Sequence, residues 1–121
     1  MSKDMSKPVI SFDGKKNRIR IGVDVIRLLG MPSYVCLYNN VNCSSIAIGP
    51  CDQKIVMSFK VPEKMLRGEK CECEIISKQF VSRVMSANHL EFGKTYRFSG
   101  IFNADKNKVI FAISDMASYK L

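Results

Sequence analysis

Twice along this chain the hydrophobic pattern runs through the same order: two short strand-like stretches, one stretch of helical period, then two further strands. In the first pass "VISF" (9–12) is followed by the turn signal Asp13-Gly14 and by "RIRI" (18–21). The period of two in "RIRI" sends Ile19 and Ile21 to one face and Arg18 and Arg20 to the other, so the two stretches read as a hairpin. From Val23 the period changes. Val23, Val25, Ile26 and Leu29 include i, i+3 and i+4 relations, and Gly30 followed by Met31-Pro32 stops the helix. "YVCLY" (34–38) and "SIAIG" (45–49) are then strands joined through "NNVNCS", whose asparagines tolerate left-handed backbone angles.

The second pass repeats the plan. "VMSF" (56–59) echoes "VISF", "CECEII" (71–76) alternates as "RIRI" does, and "SKQFVSRVM" (77–85) places Phe80, Val81, Val84 and Met85 on one helical stripe behind Ser77 as N-cap. "TYRFSGIF" (95–102) and "KVIFAI" (108–113) follow, joined by "NADKN". Duplication of one unit explains an echo in register with five matching elements better than chance does. Two open βαββ units, each with unpaired edges, can close one another. The fold expected is therefore mainly β with two short helices, a small barrel from duplicated βαββ units at 9–50 and 55–113. It forms one compact domain over the 121 residues. Its core should hold Ile19, Ile21, Leu29, Val35, Leu37, Ile46 and Ile48 with Phe80, Val84, Phe98, Val109, Phe111 and Ile113.

Composition narrows the partner. Nineteen Lys and Arg against eleven Asp and Glu leave a formal +8, and a sequence pI near 9.4 makes an anionic partner worth weighing. The excess divides evenly between residues 1–54 and 55–121, so neither half is a basic tail. The N-terminus "MSKDMSKP" has no apolar run behind it, and no stretch approaches the ~18 apolar residues of a membrane helix. An odd five cysteines, mostly within apolar stretches, read as reduced thiols in a cytoplasmic protein.

Chemistry at a reactive centre has little to build on. Cys71 and Cys73 share a strand face, but no second pair stands at zinc-site spacing and His89 is the one histidine, so no metal site is expected. His89 lies in a polar loop with no nucleophile arrangement around it. No glycine loop is formed to cradle phosphate, and Glu72 and Glu74 alternate as exposed strand carboxylates do. The chain reads as a non-enzyme without a cofactor. Its candidate site is cationic: Lys15, Lys16, Arg18 and Arg20 fall within six positions around a hairpin, where long side chains gain from phosphate contact without burial, and Arg27 follows on the helix.

"NRIRIGVDVIRLLGMPSYVCLY" followed by "SIAIGP" resembles the AbrB/SpoVT family of swapped-hairpin transcription regulators. Arg18 matches the arginine of the family's Gly-Arg-Val-x-Ile-Pro motif. Ile19 and Ile21 match its apolar pair, and Leu29-Gly30-Met31 match its helix end. Asn17 stands where the family has glycine, Gly22 where it has proline, Asp24 for a frequent glutamate and Ile26 at a position that is often arginine. Proteins of the MraZ type, with two such units in one chain, are the nearest analogue in organisation, although their Asp-x-x-x-Arg signature is absent here. The resemblance covers about a third of the chain and implies dimeric, sheet-based binding of duplex DNA. Two readings follow: a cytoplasmic DNA-binding regulator, bacterial or from a mobile element, and a protein-interaction or assembly module that keeps the barrel without DNA contact. Whether Lys15, Lys16, Arg18 and Arg20 form one continuous positive surface separates them.

Overall fold

In the first half the chain forms β1 (Val9–Asp13), β2 (Arg18–Ile21), α1 (Val23–Leu28), β3 (Tyr34–Asn39) and β4 (Ser45–Pro50). In the second it forms β5 (Ser58–Lys60), α2 (Glu63–Leu66), β6 (Cys73–Ile76), α3 (Lys78–Ala87), β7 (Thr95–Asn103), β8 (Lys108–Ala112) and β9 (Tyr119–Lys120). The structure, a computed structural model, describes residues 8–40, 44–51, 58–69 and 71–113 and the backbone of 119–120. Residues 56 and 57 of the expected strand 56–59, and the middle of the 39–44 turn, lie outside the described residues. The strand expected over 71–76 begins at Cys73, and α2, which has no counterpart in the first half, was not expected.

The strands lie in the order β5-β3-β4-β8-β7-β1-β2-β6, a nearly closed, barrel-like sheet in which β9 adds a short pairing to β7. All the pairings are antiparallel, and four of them cross between the halves: β1 with β7, β2 with β6, β3 with β5 and β4 with β8. Exchanging β1 with β5, β2 with β6, β3 with β7 and β4 with β8 returns the same pairs, β9 aside, except that β1–β2 has no β5–β6 counterpart. The local chain explains the exception. Residues 14–17 make a tight turn between β1 and β2, with Asn17 in the left-handed region at φ 53°, a conformation that asparagine and glycine accept. Between β5 and β6 stand residues 61–72, in which Val61 and, within α2, Met65 are fully buried.

All thirteen expected core residues are buried, joined by Ile10, Phe12, Val25, Ile26, Ile75 and Tyr96 among others. Phe12 meets Phe98 edge-on at 5.9 Å between ring centroids. The helices close the barrel through their apolar faces: Val25 and Ile26 from α1, Phe80, Val81, Val84 and Met85 from α3. Ser77 caps α3, its hydroxyl accepting from the Phe80 N–H at 3.3 Å. All three helices end alike. The Gly30 N–H donates to Arg27 and the Met31 N–H to Ile26, Gly68 and Glu69 repeat this on α2, and His89 and Leu90 repeat it on α3. Gly30 and Gly68 take the left-handed residue of this motif, but on α3 it falls to His89 at φ 57°.

β7 bends the sheet into a barrel. Its first half pairs with β1 and its last four residues with β8. At Gly100, between them, a Cβ would lie 2.6 Å from the Phe111 ring and 2.9 Å from the Ile110 carbonyl oxygen. The missing side chain lets Phe111 lie across the strand. Among the described residues no helix is long and apolar enough to cross a membrane.

Candidate functional site

Arg18 and Arg20 point outward from β2, as their alternation requires, but they do not point into open solvent. Cross-strand register sets their neighbours: Asp13 of β1 lies opposite Arg18, and Glu74 of β6 lies opposite Arg20. The Arg18 guanidinium donates to Asp13 Oδ2 at 3.1 Å and lies 3.6 Å from Glu74, and its side chain is only 16% exposed. Arg20 Nε stands 3.4 Å from Glu74 and 3.5 Å from Glu72, close enough for coulombic attraction but without hydrogen-bond geometry. Two cations are thus interleaved with three carboxylates.

Asp13 organises the neighbouring turn as well. Its Oδ1 accepts from the N–H groups of Lys15 at 3.0 Å and Lys16 at 3.3 Å. Partial burial would raise its pKa, but the Lys16 N–H, the Arg18 guanidinium and the Lys15 N–H together hold the carboxyl below its usual value. The Lys15 and Lys16 side chains are exposed on this turn and make no ion pair among the described residues. Arg27 belongs to a different place. It is 3.7 Å from Asp24 on its own helix and lines a hollow with Met31, Gly68 and Glu69. Of the five expected cations the hairpin gathers four, and among the described residues only the two lysines stand apart from carboxylates.

The exterior of the β7-β8-β4-β3 sheet has the opposite character. One row crosses four strands: Ile101 of β7 lies opposite Ile110 of β8, which lies opposite Ala47 of β4, which lies opposite Tyr38 of β3. Ile101 is 76% exposed, Tyr38 is partly exposed, and Ala112 adds exposed apolar surface beside them. Two hollows flank Ile110. One, of about 560 Å³, runs along Ile101, Phe102, Ala104 and Ala112; the other, of about 290 Å³, lies between Tyr38, Ala47 and Lys108. Charge stays at the rim, where the Lys108 ammonium lies 4.8 Å over the Tyr38 ring.

The remaining candidates have structural surroundings. Burial, reinforced by the neighbouring Cys71, pushes the Cys73 thiol up to about 11, which keeps it protonated and unreactive at neutral pH. Among the described residues no group of three or more metal-ligating side chains comes together. Sequence reasoning passed over Ile101 and Ile110, yet a signal was there. The inward partners in β7 are Tyr96, Phe98 and Gly100, so Ile101 shares the outward face with Thr95, Arg97 and Ser99. A large apolar residue on a polar strand face is the informative exception.

No family model, no curated protein and no solved structure matches this chain.

Proposed function

We propose that this protein is a non-enzymatic assembly module whose working surface is the apolar exterior of the β7-β8-β4-β3 sheet, and that its occupant is a second copy of the chain. The carrying observation is the Ile101–Ile110–Ala47–Tyr38 row with its flanking hollows. A sheet face whose central row is apolar, with Asp105, Lys106 and Lys108 around it, finds a complement in another sheet face, whose side chains interdigitate across about 10 Å. Here one face carries both the projecting Ile101 and hollows to receive it, so a twofold contact is self-complementary. Charge at the rim leaves the centre free of buried ions. Among the described residues the thiols of Cys36, Cys71 and Cys73 are reduced, in accord with a cytoplasmic setting. The proposal takes 9–50 and 55–113 as repeats of one unit, which the exchangeable strand pairs support. Amide hydrogen exchange tests it. Protection at Ile101 and Ile110 should rise with protein concentration while Arg20 and Glu74 do not change, and exchange independent of concentration at all four would reject it.

One observation favours the second reading, a duplex-DNA regulator of the AbrB/SpoVT type. Lys15 and Lys16 are exposed, unpaired among the described residues, and carried on a turn fixed by Asp13. On that reading Lys15→Ala with Lys16→Ala lowers retention on duplex DNA and flattens the dependence of log affinity on log salt by ~0.9 for each phosphate no longer neutralised. Unmodified protein that passes a duplex column unretained at moderate salt removes this reading.

A further inference from the structure

The ring of strands is open at one place, between β5 and β6, and the opening has the properties of a peptide site. Among the described residues β5 pairs only with β3 and β6 only with β2. The alternation of antiparallel hydrogen bonding shows which main-chain groups are left over. The Ser77 N–H donates to the Asn17 carbonyl at 3.0 Å, so Ile75 and Cys73, two and four residues back, also bond toward β2. Glu74 and Ile76 therefore turn their N–H and C=O groups the other way, to the seam. On the opposite side the Val61 N–H donates to Ser33 at 2.8 Å, and by the same parity Lys60 turns its main-chain groups away from β3.

Between these edges lies a groove of about 450 Å³. Its apolar lining is Leu37, Phe59 and Phe80, and Ile76, 73% exposed, stands at its rim with Gln79 and Arg83 of α3. Arg83 is exposed and makes no ion pair among the described residues, and no carboxylate lines the groove. A strand edge and an apolar slot are the elements of recognition by strand addition, in which main-chain bonds give affinity and alternate side chains give specificity, and Arg83 sets a cation beside them.

We infer that this seam binds an extended peptide segment of a partner protein, one that pairs with the β6 edge, places an apolar side chain over Leu37, Phe59 and Phe80, and sets an acidic side chain against Arg83. The groove shares Asn39 with the hollow beside Tyr38, but Phe59, Ile76, Phe80 and Arg83 lie outside the Ile101–Tyr38 row, so peptide binding and self-association through that row are read at different residues. An apolar and an acidic residue two positions apart in the peptide point to one side of the added strand, as the groove and Arg83 require.

The test uses the full chain and a fluorescein-labelled peptide of about six residues, alternating threonine and valine, with one central phenylalanine and an aspartate two positions beyond it. Saturable binding by fluorescence anisotropy is expected, with amide shifts at Lys60, Glu74 and Ile76. Arg83→Glu should weaken it by about tenfold, a lysine in place of the peptide's aspartate should do the same, and the two changes together should restore affinity. N-methylation of the peptide at alternate positions should abolish binding. Arg83 is exposed, and circular dichroism checks that the variant keeps its fold. The inference is overturned by any of three outcomes: no saturable binding, binding indifferent to Arg83→Glu and to N-methylation, or shifts at Ile101 and Ile110 instead. Concentration-dependent shifts at Glu74 and Ile76 without peptide binding assign the seam to a second copy and also overturn it.

Discussion

Asp13 holds three donors at once, the Lys15 and Lys16 N–H groups and the Arg18 guanidinium, and so ties the β1–β2 turn to the outward face of β2. Removing it strands a partly buried guanidinium with only Glu74 at 3.6 Å. Asp13→Ala should therefore cost about 1–3 kcal/mol at neutral pH in urea denaturation. The sign with pH follows from a carboxyl held below its usual value: its contribution is full above pH ~4 and is lost as pH falls through the folded-state value. The gap between Asp13→Ala and the unmodified protein should narrow as the medium becomes strongly acidic, and a gap that stays constant would show that the carboxylate charge is not involved. The outward direction of Arg18 and Arg20 was legible in "RIRI" because period two dictates it. Asp13 stands five positions before Arg18 on the same hairpin, but the other carboxylate partners were not legible. Glu72 and Glu74 stand more than fifty positions away in sequence, and only the β2–β6 register brings them across.

Among the elements, the helices were the most legible, since apolar spacing and stop signals are local. Ser77 caps α3 as its position before "KQF" predicts, and α1 spans Val23–Leu28. α2 escaped because four residues carry too little period to register, and its buried Met65, with Val61 just before the helix, is recognisable only once the barrel is assembled around it. At the end of α3, His89 fills the left-handed position that glycine fills on the other two helices. A Cβ in that conformation is strained, and nothing in the functional readings uses the imidazole. His89→Gly should raise stability by ~0.5–1 kcal/mol, read as a higher melting temperature with unchanged helix content. A lower melting temperature would mean that the imidazole makes a contact worth more than the strain.

At the scale of the whole molecule, the barrel followed from arithmetic on elements, because two open βαββ units leave edges that each other's strands can satisfy. The surface did not follow from composition. A net charge of +8 suggested a cationic comb, but the fold sets carboxylates against both arginines and lays an apolar row, Ile101–Ile110–Ala47–Tyr38, across the β7-β8-β4-β3 exterior. Self-association through that face is most directly tested by sedimentation equilibrium of the unmodified protein and of Ile101→Lys over a range of concentrations. Ile101 is exposed in the single chain, so the lysine leaves the fold intact while placing a charge within the contact. The expected result is a mass that rises from 13.7 kDa toward twice that value for the unmodified protein, and stays at the single-chain value for Ile101→Lys. A single-chain mass for both at every concentration, or a dimer that Ile101→Lys leaves unchanged, would contradict self-association through the β7-β8-β4-β3 exterior.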